Sequence, residues 1–141
     1  MKRLSLATLA LGLCLSAAPV LAQDDPVRDA VLDYMDFATY HQGIIQPQQL
    51  DETVFDVATF IDARTPEEFE AGHIPGAINI DWRAVPAEIA DVPGDMIVVY
   101  CNSGTLSAQA AFAARLMGHE HVVMLQGGLE GWQRDGVYKP E

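Results

Sequence analysis

Met96-Ile97-Val98-Val99-Tyr100 is an unbroken apolar run that ends on Cys101 and a stretch of small residues, Asn102-Ser103-Gly104-Thr105-Leu106-Ser107. Continuous rather than alternating hydrophobicity predicts a strand buried on both faces, as at the centre of a parallel sheet. A chain that buries such a strand must cover it from two sides, and the flanking sequence supplies the cover. Ala58 to Asp62 and Val122 to Leu125 read as further buried strands, with shorter ones at Ile44-Ile45 and Ala77 to Ile80. Helical patterns separate them: Val27 to Tyr40 (amphipathic), Pro47 to about Phe55, a short helix capped by Thr65 and stopped by Gly72, Pro86 to Ala90, Ala108 to Met117, and Leu129 to Arg134. Strands alternating with helices predict an α/β fold around a mostly parallel sheet. At 141 residues, half of them hydrophobic, the chain has the material for one such core.

The N-terminus reads differently. Lys2 and Arg3 precede an apolar run from Leu4 to Ala18, followed by Pro19 and the small-residue stretch Val20-Leu21-Ala22. This is the pattern of a secretory signal peptide over residues 1–22, which makes 23–141 the expected mature chain and the periplasm of a Gram-negative host its expected location. The run is shorter than the ~20 residues of a spanning helix, so no membrane insertion is expected after cleavage. Of the two cysteines, Cys14 leaves with the leader. The remaining thiol, Cys101, has no internal partner, so it is a free reactive thiol, an intermolecular one, or a buried inert residue. A formal net charge of -12 without a basic cluster argues against nucleic-acid binding.

The surroundings of Cys101 favour the reactive reading. In sheets of this kind ligands bind beyond the carboxyl ends of the strands, where Cys101 falls. Successive N–H groups of a small-residue loop can converge on an anion, and the following helix adds the positive end of its dipole. Both favour thiolate over thiol. Gly104 supplies conformational freedom, and Thr105 and Ser107 supply hydroxyls as caps or donors to sulfur.

Three stretches then carry a resemblance. Ile61-Asp62-Ala63-Arg64-Thr65-Pro66-Glu67-Glu68-Phe69 with Gly72-His73-Ile74-Pro75-Gly76-Ala77-Ile78-Asn79, the Val99-Tyr100-Cys101 loop to Ser107, and Leu125-Gln126-Gly127-Gly128-Leu129-Glu130-Gly131-Trp132 resemble, in order, the signatures of the rhodanese-like family. The resemblance spans about Ile44 to Tyr138. It implies a doubly wound α/β domain over 44–141, with helices on both faces of the sheet and residues 23–43 as a helical extension. It also implies transfer of a sulfane sulfur from thiosulfate or a persulfide to a thiophilic acceptor through a Cys101 persulfide. The acceptor would be a small molecule or a protein thiol. Rhodanese loops often carry a basic residue between the cysteine and the final serine; Asn102, Ser103, Gly104, Thr105 and Leu106 include none, which turns the expectation toward a less charged donor. A catalytically weak binding or redox-sensing module is the alternative.

Around the loop, Arg64 is expected either to reach the pocket mouth as the missing cation or to pair with Glu67 or Glu68 on its own helix. Asp62 is expected to shape the site or to cap a turn. His73 is expected to serve the Gly-His-Ile-Pro-Gly turn, and Trp82 and Trp132 to be core or rim residues. His119 and His121 do not make a convincing metal site, and no nucleotide-binding glycine pattern is present, so no metal or cofactor is expected. The segment Val27 to Gln42 is expected to pack on the domain as an extra helix in preference to presenting Tyr34, Phe37 and Tyr40 to a partner.

Overall fold

The computed structural model describes residues 25–140; the leader expected over 1–22 lies outside them. The elements run α1 (Pro26–Phe37), β1 (Ile44–Ile45), a 3-10 turn (Pro47–Gln49), α2 (Glu52–Val57), β2 (Ala58–Asp62), α3 (Pro66–Ala71), β3 (Ile78–Asn79), α4 (Val85–Glu88) with a 3-10 turn (Ile89–Asp91), β4 (Met96–Tyr100), α5 (Thr105–Leu116), β5 (Val122–Leu125) and α6 (Gly128–Asp135). The five strands form one parallel sheet in the order β1-β5-β4-β2-β3.

The apolar run of β4 takes the central position that its pattern predicts. Ile97, Val98, Val99 and Tyr100 are each fully buried. Because side chains alternate across a strand, Ile97 and Val99 enter one core and Val98 and Tyr100 the other. The first core is closed by Ala110, Ala111 and Ala114 of α5 with Val85 of α4. The second holds Phe60, Ile74, Leu129 and Trp132. Small alanines let α5 sit close to the sheet, which fixes where its N-terminus meets the end of β4. Trp132 is buried and Trp82 packs against the first core, as expected.

The register brings two strand ends together. Asp62, the last residue of β2, pairs with Tyr100, the last of β4, so Cys101 emerges beside the turn that begins at Ala63. The Ala63 N–H donates to the Tyr100 carbonyl at 2.7 Å, and the Tyr100 hydroxyl accepts from the Ile74 N–H at 3.0 Å.

Several elements differ from the sequence expectation. The helix expected from Pro47 to Phe55 is interrupted, because Leu50 turns fully into the core and Asp51 starts a new helix by accepting from the Val54 N–H at 3.0 Å. Helix α5 begins at Thr105 instead of Ala108, so the last three loop residues form its first turn. Helix α1 stops at Phe37, short of Tyr40, and has no buried residue. Of its aromatic residues only Tyr34 engages the domain, edge-on to Phe112 with ring centroids 5.2 Å apart. Phe37 and Tyr40 are 84% and 100% exposed, so among the aromatic residues of this segment Tyr34 carries its packing on the domain.

Ile97→Ala opens a cavity in a fully buried strand and is expected to cost about 2–5 kcal/mol, read as a lower denaturant midpoint with unchanged slope. Val57→Ala, at a 59% exposed position, is expected to stay within about 0.5 kcal/mol of the parent.

Candidate active site

Cys101 follows β4 directly and is 3% exposed. Its Sγ accepts from the Gly104 N–H at 3.2 Å. The Ser107 hydroxyl lies 3.7 Å from Sγ and 3.1 Å from the Gly104 carbonyl, and has one proton to give to either. Gly104 caps α5 with φ at 99°, a conformation that glycine adopts without strain. The first N–H groups of α5 have no carbonyl four residues back, so they turn toward the sulfur.

Burial is the largest influence on the Cys101 thiol and pushes its pKa up; the N–H and hydroxyl of Ser107, with the N–H groups of Leu106 and Gly104, outweigh it. The net result is a thiol more acidic than an ordinary cysteine, held so by neutral dipoles.

A second helix clamps the loop from behind. The Leu129 N–H donates to the Cys101 carbonyl at 2.8 Å and the Glu130 N–H to the Asn102 carbonyl at 3.1 Å, both from the first turn of α6. Gly128, with φ at 58°, lies so close that a Cβ there would collide with those same two carbonyl oxygens. The glycine pair Gly127-Gly128 therefore permits the contact between two loops that are far apart in sequence.

The remaining expected site residues form a polar network beside the loop. Asp62 is fully buried and Arg64 is 6% exposed. The Arg64 fork grips the Asp62 carboxylate through Nε at 2.9 Å and Nη2 at 2.5 Å, and Nη2 also donates to the Gly72 carbonyl at 2.7 Å. Its Nη1 donates to Asn102 Oδ1 at 3.2 Å, and the Asn102 amide donates to Glu68 Oε1 at 2.7 Å. The hydrogen bonds that Arg64 donates to Asp62 raise the Arg64 pKa, and the Asn102 amide holds the Glu68 carboxyl below its usual range.

This corrects both expectations for Arg64. It does not pair with Glu67 or Glu68, because the adjacent strand end offers a buried carboxylate in bidentate geometry. Nor is it a free cation at the pocket mouth, since Asp62 compensates its charge. The side chain of Asn102 is likewise spent on the network. Ser103 and Thr105 sit exposed at the loop crown with their hydroxyls 3.3 Å apart, and Leu106 beside them is 37% exposed. Asn79, absent from the expected set, donates to the carbonyls of Asp62 and Arg64 at 3.0 and 2.9 Å and holds their turn. Its sequence signals were its place in the short strand from Ala77 to Ile80 and at the end of the first stretch that resembles the family. His73 stacks on Phe69 and contacts its carbonyl at 2.8 Å, a structural turn as expected. Among the described residues no cluster of three or more metal-ligating side chains occurs.

The family model for the rhodanese-like domain matches residues 46–135. The chain belongs to the rhodanese-like domain family. The match contains the loop, Asp62, Arg64 and the Gly127-Gly128 pair. A protein named sulfurtransferase from Allochromatium vinosum is 32% identical over 96 residues, covering 66% of this chain and 90% of that protein. The thiosulfate sulfurtransferase PspE of Escherichia coli is 43% identical over 72 residues, covering 49% of this chain and 69% of PspE. In structure, a rhodanese-related protein from Thermoplasma volcanium aligns at 27% identity and a TM-score of 0.58, covering 65% of this chain and 91% of that one. The five-stranded parallel sheet with its helices is thus the rhodanese-like fold.

The reactive form of a thiol is the thiolate, so its alkylation rate rises with pH and levels off above the thiol pKa. For Cys101, iodoacetamide rates measured against pH are expected to reach half-maximum below the ~8.5 of a free cysteine. In Ser107→Ala, which removes one of the groups that lower the pKa, the same curve is expected to move to higher pH.

Proposed function

We propose that this rhodanese-family protein is a sulfurtransferase in which Cys101 carries the sulfur. The observation that supports it is the cradle at Sγ: a buried thiol in the loop between β4 and α5, made more acidic by converging N–H groups. The names of its sulfurtransferase relatives agree.

The Cys101 thiolate attacks the outer sulfur of the donor. A new S–S bond forms at Sγ, the donor's own bond to that sulfur breaks, and its electron pair leaves with sulfite (from thiosulfate) or with a thiolate (from a persulfide). The N–H groups of Gly104, Leu106 and Ser107 and the Ser107 hydroxyl then face the terminal persulfide sulfur and favour its anionic form. An acceptor thiolate attacks that sulfur, and Cys101 leaves as thiolate again. No net oxidation occurs, and the donor leaves before the acceptor reacts, a ping-pong sequence. Asn102, Ser103, Thr105 and Leu106 line the approach, and the Asp62–Arg64 pair braces the loop from the side.

The charge pattern bears on the donor. The loop from Asn102 to Leu106 carries no cation, and Arg64 is neutralised by Asp62. A dianion such as thiosulfate gains no counter-charge there, so a persulfide is the favoured donor and a low-molecular-weight or protein thiol the acceptor. We further propose that residues 1–22 direct export to the periplasm and are removed, that 23–43 form an extension, and that 44–141 form the catalytic domain. The same uncharged loop supports a second reading, a redox-sensing or binding module with little turnover.

Intact mass after incubation with a low-molecular-weight persulfide is expected to rise by one sulfur, reversibly with cyanide or thiol, and not at all in Cys101→Ser. An unmodified mass with both persulfide and thiosulfate would favour the sensing or binding module. Introducing a cation by Thr105→Arg is expected to raise thiosulfate turnover about tenfold, the rate equivalent of one charge-assisted hydrogen bond of ~1.5 kcal/mol. Steady-state sulfite release measures it.

A further inference from the structure

A second concave site lies away from Cys101, between the N-terminal extension and the domain. It encloses about 240 Å³ and is lined by Tyr34, Gln42, Ile44, Phe112, Arg115 and Met124 among others. Tyr34, Gln42 and Ile44 precede the residues matched by the family, so this pocket is built by joining the N-terminal segment to the matched domain. It shares one wall with the active-site loop, because the Met124 methyl lies against Gly104.

Arg115 is the unusual member of its lining. Its Nε donates to the Tyr34 hydroxyl at 3.2 Å, and its Nη1 donates to the carbonyls of Glu120 and Val122. Its Nη2 has no hydrogen-bond partner among the described residues. The other arginines there, Arg28, Arg64, Arg83 and Arg134, each pair with a carboxylate, whereas Arg115 has none within 4.0 Å. In a chain of net charge -12, carboxylates are plentiful, yet this guanidinium faces a largely apolar cavity without one. Two more donors are at hand. The Tyr34 hydroxyl accepts from Arg115 and keeps its own proton to give. Gln42 accepts from the Thr39 N–H through Oε1, which leaves its amide NH2 free.

We propose that this pocket binds a small monoanion with an apolar body. Its carboxylate pairs with Arg115 Nη2, assisted by Tyr34 and Gln42, and its hydrocarbon lies against Ile44, Phe112 and Met124. One uncompensated cation sets the charge at minus one, because a dianion would bring an unpaired charge onto apolar walls. The volume, below the roughly 300–1,000 Å³ of pockets for drug-sized ligands, limits the body to a short chain or a single ring.

Hexanoate is the probe, titrated into the purified protein and followed by backbone amide NMR shifts. Saturable shifts are expected at Gly43, Ile44 and along α1 and α5. Acetate has the charge without the body and hexanol the body without the charge; both are expected to bind at least about tenfold more weakly. Arg115→Gln is expected to reduce hexanoate binding about tenfold and leave hexanol binding unchanged. Because Arg115 also holds the carbonyls of Glu120 and Val122, Ala108→Leu is the second variant: it fills the pocket, keeps every polar contact, and is expected to abolish binding. Hexanol binding as tightly as hexanoate, shifts that persist in Ala108→Leu, or no saturation by about 10 mM hexanoate would overturn the proposal. None of these readouts depends on Cys101.

Discussion

A buried thiol can ionise only where the protein takes the place of water around its sulfur, and the elements around Cys101 supply that shell. Water is excluded from Cys101, and burial alone would keep the thiol protonated. The N–H groups at the start of α5 replace water as the solvating shell. They cost no reorganisation at the moment of reaction, because the backbone has already oriented them. For this to work the helix must begin within a few residues of the thiol, and the strand that delivers the thiol must not move. Burial of β4 on both faces fixes the strand, and the alanine face of α5 fixes the helix.

The same constraint explains the restraints around the loop. A run of residues with converging N–H groups leaves its carbonyls pointing outward, and two of those, at Cys101 and Asn102, are taken up by the first turn of α6. The Asp62–Arg64 pair stands on the other side. A buried ion pair gives little net stability by itself, since desolvation offsets the attraction. Here it is fully hydrogen-bonded, and it reaches the loop through Asn102 and the α3 cap through Glu68, so its contribution is to orientation. Neutral dipoles lower the pKa of the thiol, and the nearest cation among the described residues, Arg64, is compensated by Asp62.

The extension adds a second theme. It touches the domain mainly through Tyr34, and that contact places at the junction an arginine that has no carboxylate partner among the described residues. The residues matched by the family model begin at 46, so α1 and this junction lie outside them.

The local sequence by itself determined the strands, the Thr65 and Pro66 helix start, the central place of β4 and the position of Cys101 at its end. These are set by hydrophobic periodicity and capping chemistry, which act over a few residues. It also showed which stretches make the chain a rhodanese-like domain. It did not reveal that Leu50 would divide a helical stretch, because the pull of the core on one side chain depends on what lies across from it. The partner of Arg64 was equally hidden. A carboxylate two residues away wins over two on the same helix only because strand pairing buries Asp62 beside the loop and removes water from the competition. The loop's clamp by Gly128, the bracing by Asn79, and the pocket at Arg115 were likewise decided by tertiary structure, because each depends on close approach of segments that have no local reason to meet.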